Sequence, residues 1–166
     1  MSYVSKLLRF SSWMTLTAVL LAVIPIPSRA ADREIYPAPG QARIDLAAAL
    51  RTAAAHHKRV ILDFGGNWCA DCQVLDIYFH DPINKPLLDA NYVLVRINIG
   101  MRDQNLKIAE RYQVPMDKGV PALAVLDEHG RLLYSQRNSE FGPMRRMESN
   151  AVTSFLLQWK PTKSGV

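Results

Sequence analysis

The chain has two cysteines, Cys69 and Cys72, three residues apart, just after a short apolar run (Val60 to Phe64) and the pair Gly65-Gly66. No other stretch narrows the possible folds as much. A β-branched apolar run of this length predicts a buried strand, the glycines a loosened turn, and the cysteines the start of a helix. A disulfide between residues this close closes too small a loop to restrain the unfolded chain much, so a structural staple explains the pair poorly. A thiol at a helix N-terminus meets unsatisfied N–H groups and the positive end of the dipole, and both favour the thiolate. The pair therefore reads as a redox-active dithiol. Zinc is its main competitor, but structural zinc takes four ligands, often two such pairs. Here there is one pair, and His56, His57, His80 and His129 do not supply the remaining spacing. No metal is expected.

The flanking sequence predicts alternating helices and strands. Residues 31–43, with Pro37, Pro39 and Gly40, form an irregular lead-in to a domain over 44–166. Asp45 is placed to cap a helix rich in alanine and leucine, which ends on His56, His57, Lys58 and Arg59, cations suited to the negative end of the dipole. The two histidines read as a solvated helix end rather than as metal ligands. After the cysteines a helix runs to about His80, broken by Asp81-Pro82, and a short helix follows over Ile83 to Ala90. Tyr92 to Ile99 is the second strand. Gln104 to Tyr112 is an amphipathic helix with Leu106, Ile108 and Ala109 inward. Val120 to Leu126 is a third strand, joined by a Glu128-His129-Gly130 turn to a fourth over Arg131 to Ser135. Gln136 to Ser149 is polar and irregular, and Ala151 to Trp159 is the last helix. Strands alternating with helices and closing in a hairpin imply an α/β fold, a mixed sheet covered on both faces.

The formal charge of +5 is unevenly placed. Lys6, Arg9 and Arg29 precede any plausible mature start, and without them the net is about +2, too weak for a phosphate-binding surface. No nucleic-acid partner is expected. Residues 1–30 read as a signal peptide: a basic start, an apolar run from Trp13 to Ile24, then Ser28-Arg29-Ala30 as a cleavage site. Cleavage after Ala30 would leave no stable membrane anchor and a destination in the periplasm or a comparable oxidising space. An uncleaved anchor is the competing reading, although Phe10 to Ile26 is barely long enough to span.

Three separated elements occur in order: Asp63-Phe64, then Trp68-Cys69-x-x-Cys72, then Gly119-Val120-Pro121-Ala122. Together they resemble the thioredoxin superfamily, and the exported bacterial thioredoxin-like proteins in particular, over about Val60 to Trp159. The resemblance implies a central mixed sheet flanked by helices. It implies Cys69 as the attacking thiol, Cys72 as the buried resolving thiol, and a disulfide between them in the oxidised form. Asp63 would be the buried acid moving protons for Cys72, its pKa raised by burial. Pro121 would be a cis-proline, with the Val120 backbone beside it pairing with an extended substrate segment. Trp68 would flank the site, or pack in the core. Where the family often has Gly-Pro, this chain has Ala70-Asp71, and the Asp71 charge works against a thiolate. Gly65 and Gly66 replace bulkier residues, loosening the turn or opening room for a partner. His80 and the pair Arg145-Arg146 read as surface features.

The function implied is exported thiol–disulfide exchange with protein substrates, as a reductase recharged by a membrane-spanning thiol electron donor, with no bound cofactor. A binding or redox-sensing module without turnover, and a thiol metal carrier, are the alternatives.

Overall fold

The computed structural model describes residues 33–162. The expected signal peptide lies outside the described residues. Among them, no helix is long and apolar enough to cross a membrane.

Four strands, β1 (Arg59–Gly65), β2 (Tyr92–Asn98), β3 (Ala122–Leu126) and β4 (Leu132–Ser135), form one mixed sheet in the order β2-β1-β3-β4. β1 runs parallel to β2, from Arg59 opposite Tyr92 to Gly65 opposite Asn98. It runs antiparallel to β3, from Val60 opposite Leu126 to Phe64 opposite Ala122. β3, and β1 beyond Arg59, are wholly buried, since both of their faces are covered; hence their unbroken apolar runs. Side chains alternate between the faces. Val60, Leu62 and Phe64 meet α1 (Ala42–His56) and α4 (Leu106–Arg111) on one side. Ile61, Leu123 and Val125 meet α2 (Ala70–Phe79), α3 (Asn84–Asn91) and α5 (Ser149–Trp159) on the other. Asp63 has the parity of Ile61 and pairs across the strands with Leu123, so it points to the side that α2 covers.

Several local expectations shift. α1 starts at Ala42, so Asp45 lies in its first turn, where a carboxylate still suits the dipole, and caps nothing. Leu106 is 43% exposed rather than inward, because α4 is a six-residue helix that begins with it. The stretch Gln136 to Ser149 is not simply polar and irregular. A 3-10 turn at Met144–Arg146 drops Met144 fully into the α2/α5 core. Phe141 follows it in, stacking edge-on to Phe155 with centroids 5.1 Å apart. Two apolar anchors dispersed among polar residues give no periodic pattern, yet they suffice to dock the segment.

Candidate active site

The end of β1 carries the chain into Gly65-Gly66, and α2 starts immediately after Cys69. That cysteine is the helix N-cap: its backbone is extended and its Sγ accepts the Cys72 backbone N–H at 3.1 Å. A sulfur so placed serves one of the orphan donors of the helix start and is stabilised as an anion. Cys69 and Cys72 are joined as a disulfide with Cα atoms 5.2 Å apart. The two sulfurs are unequal, Cys69 being 6% exposed and Cys72 fully buried. Across from Cys69, its Sγ lies 3.7 Å from the Val120 carbonyl oxygen, and the Val120–Pro121 peptide is cis. The late segment holds this corner. Buried Gln136 donates from its side-chain amide to the Pro121 carbonyl at 3.1 Å and accepts the Leu123 N–H at 3.3 Å.

Asp63 is fully buried. Its Oδ1 accepts the Tyr36 hydroxyl at 2.8 Å, and its Oδ2 has no partner. Burial pushes its pKa up to about 6, against the opposing pull of the Arg96 charge and the Tyr36 hydrogen bond. Arg96 stands opposite Asp63 in β2, but its guanidinium is paired with Asp76, which Arg33 also engages. Tyr36 is itself pushed well above the ordinary tyrosine range, first by burial and then by the Asp63 charge.

Tyr36 comes from the expected lead-in, which the structure ties to the site by a series of amides. Asn67 Oδ1 accepts the Ile35 and Tyr36 N–H groups at 2.9 and 2.8 Å, and its amide donates to the Tyr36 carbonyl at 3.1 Å. Gln73 holds the Arg33 carbonyl, Asn98 that of Pro37 and Asn105 that of Pro39. The segment has little regular structure because side chains, rather than a strand partner, satisfy its backbone. It also accounts for Gly65. A Cβ there would come within 2.7 Å of Cys72 Sγ and closer still to the Tyr36 hydroxyl. The room that the glycine opens is filled by this chain's own tyrosine. Sequence reasoning missed Tyr36, Asn67 and Arg96; the glycine in place of a bulkier residue was the available signal.

Trp68 lies on the rim, not in the core. It is 41% exposed, its indole N–H donates to the Gly100 carbonyl at 2.6 Å, and the Arg102 guanidinium sits 5.7 Å over its ring. Arg145 is more than a bland surface residue: its backbone N–H donates to Asp71 at 2.9 Å and its guanidinium lies 3.3 Å from the same carboxylate. An open cleft of about 680 Å³ runs past this pair and Val120, with Arg102, Pro143 and Arg146 along it. A cleft of similar size lies by the start of β1, away from the dithiol, where His57 pairs with Glu128 and Arg131 with Asp127. Among the described residues no group of three or more His, Cys, Asp or Glu is placed to hold a metal ion.

A strand-loop-helix corner with one sulfur at the helix N-cap and its partner fully buried, and a buried acid on the strand before it, suits thiol–disulfide exchange. Residues 41–128, just over half of the chain, match the model of a family described as thioredoxin-like. No curated protein matches the chain. Among solved structures, a disulphide isomerase from Xylella fastidiosa Temecula1 superposes with a TM-score of 0.72 at 28% identity, over 76% of this chain and 96% of that one. A thioredoxin from Thermus thermophilus superposes with a TM-score of 0.50 at 24% identity, over 74% and 83%. The chain belongs to the thioredoxin-like family, and at that level it is a thiol–disulfide oxidoreductase.

Proposed function

We propose that the protein is an exported reductase of disulfides in protein substrates. The observation that carries this reading is the asymmetry of the pair, with Cys69 at the N-cap of α2, across from the Val120 carbonyl, and Cys72 fully buried. Cys69, as thiolate, attacks a substrate disulfide, and Cys72 then attacks Cys69 to release the mixed disulfide. Asp63, with its pKa near 6, is matched to take the proton from Cys72 at neutral pH. A substrate segment lies extended along Val120 and Pro121, its backbone pairing there as an added strand would, with Trp68 as an apolar contact at the rim. The exchange uses no bound cofactor. Export through residues 1–30, with cleavage after Ala30, delivers the enzyme to the periplasm without a stable anchor. Its oxidised form is recharged there by a membrane-spanning thiol donor.

The likeness to a protein described as a disulphide isomerase favours isomerisation as the second reading. Both reactions use the same residues, and the reduction potential divides them. Equilibration of the Cys69–Cys72 couple against glutathione should give about −270 mV, near thioredoxin; a value near about −180 mV, where protein disulfide isomerase lies, would transfer the assignment to isomerase. A Cys72→Ala variant should trap client proteins on Cys69. Full biological activity in a Cys69→Ser variant would overturn the enzymatic reading and leave a binding module.

A further inference from the structure

Cys72 is expected to give up a proton before it can resolve a mixed disulfide, and it sits where bulk water does not reach. The Tyr36 hydroxyl is a polar group that lies near both it and the acid. Tyr36 Oη and Cys72 Sγ both lie within 2.7 Å of the single point where a Cβ would project from Gly65. They are therefore no more than twice that distance apart. The same hydroxyl already donates to Asp63 Oδ1 at 2.8 Å. Opening the disulfide frees Cys72 Sγ to turn about its own χ1 toward that oxygen. Charged or titratable groups set against Asp63 are Tyr36 from the strap of residues 33–41 and Arg96 from β2; α2 brings Cys72 near the Tyr36 hydroxyl, and β3 contributes the apolar Leu123. Arg96 is committed to Asp76, which leaves Tyr36 as the only side chain hydrogen-bonded to the carboxylate among the described residues.

We propose that Tyr36 is a proton-relay residue: its hydroxyl accepts the Cys72 thiol proton as it passes its own to Asp63. This rests on the dithiol-exchange reading. The step balances. The Cys72 S–H bond breaks, its proton goes to the Tyr36 oxygen, and the former Tyr36 proton forms the Asp63 carboxylic acid. The Cys72 thiolate then attacks Cys69 Sγ, forming the Cys69–Cys72 bond and breaking the bond from Cys69 to the substrate. The substrate sulfur leaves as a thiolate and is protonated by water. Two electrons have passed from the dithiol to the substrate disulfide. On re-reduction the leaving Cys72 thiolate takes its proton back along the same path. The strap thus delivers a working group to the site, and the three amide ties of Asn67 to Ile35 and Tyr36 fix where that group stands.

The test is stopped-flow reaction of the reduced protein with 5,5′-dithiobis(2-nitrobenzoate), followed by absorbance. The first release of thionitrobenzoate reports attack by Cys69, and the second reports resolution by Cys72. Tyr36→Phe keeps the ring and removes only the relay oxygen. It should leave the first phase in place and slow the second about tenfold to a hundredfold, at or just under the lower end of what a positioned proton-transfer group contributes. Loss of the hydrogen bond that holds the Asp63 pKa down should also move the acid limb of the second phase to higher pH. The deficit should shrink at alkaline pH, where hydroxide removes the proton. In an Asp63→Asn background, Tyr36→Phe should add little, since both changes cut one path. An unchanged second phase, equal slowing of both phases, or additive effects of the two substitutions would each overturn the relay. Absence of both phases in the unmodified protein would instead overturn the exchange reading, and the relay with it.

Discussion

Replacing Asp63 by asparagine should make the oxidised protein gain stability relative to the wild type as pH rises from 4 to 7.5, by about 2.5 kcal/mol. The sign follows from the shift. The carboxyl titrates at an ordinary 3.8 when unfolded and at about 6 when folded. Below pH 3.8 it is protonated in both states and contributes no difference. Between the two values the folded protein holds a proton that the unfolded chain has released, so stability falls as pH rises. Above about 6 it is ionised in both states and the full cost is present. A gap of roughly two pH units at about 1.4 kcal/mol each gives a full cost of about 3 kcal/mol, of which about 0.5 kcal/mol is already present at pH 4. Asp63 is completely buried, so solvent does not screen the effect away. Asparagine still offers Tyr36 an acceptor but carries no charge. Any cost of an unpaired amide N–H, about 1–3 kcal/mol, is independent of pH and drops out of the difference.

Urea unfolding of the disulfide form at pH 4, 5, 6 and 7.5 measures the two curves directly. In thermal unfolding the same widening corresponds to roughly 10 °C for a domain of this size. Histidines and other titrating groups are shared by the two proteins and cancel in the comparison. A stability gap flat across pH, or one that narrows as pH rises, would refute the reasoning, because it would mean that the buried carboxylate is compensated by something other than its proton.

Three further outcomes are expected. Arg145→Ala should unmask the Asp71 charge in the first turn of α2 and raise the apparent pKa of Cys69, read from alkylation rate against pH; the guanidinium is exposed, so less than about 1 kcal/mol, or under about one pH unit, is at stake. A lowered or unchanged value would mean that the guanidinium does not act on the thiol. Gly65→Ala should cost about 1–3 kcal/mol in urea unfolding, since its Cβ collides with Cys72 Sγ and the Tyr36 hydroxyl; an unchanged midpoint would refute the close approach. Met144→Ala should cost about 2–5 kcal/mol, whereas a residue in a solvated loop would lose under about 0.5.

How much of this was legible in the sequence depended on whether the signal was local. The central strands declared themselves because burial on both faces leaves an unbroken apolar run, and Val60 to Phe64 and Ala122 to Leu126 sit in the middle of the sheet. The positions of Cys69 and Cys72 could be read from the spacing within one βα unit, and that of Asp63 from the family resemblance. What escaped was whatever the tertiary structure brings from far along the chain. Tyr36 stands 27 residues before the acid it touches, inside a proline-rich stretch with no periodicity. Arg145 reaches back 74 residues to Asp71, from a segment whose composition says only that it is polar. Leu106 failed for a different reason: a one-and-a-half-turn helix is too short to have an inner face at its first residue.

The three carboxylates around the dithiol show why residue type alone could not assign their roles. Asp71, in the first turn of α2, is balanced by the Arg145 guanidinium and backbone, so its charge beside Cys69 is compensated at the surface. Asp76, one turn further on, is buried but shared by Arg33 and Arg96, which makes it a structural anchor for the strap and for β2. Asp63 receives one neutral hydrogen bond, leaves one oxygen bare, and has its pKa raised by burial. The proton-moving role proposed for Asp63 needs that under-compensation, since a full ion pair would lock it as an anion. By engaging the Arg96 guanidinium, Asp76 limits its pull on the Asp63 carboxyl. That arrangement predicts that Asp76→Asn, by releasing Arg96, should lower the Asp63 pKa and shift the acid limb of Cys72 reactivity to lower pH. An acid limb left in place would show that Arg96 stays out of reach of Asp63 even when free.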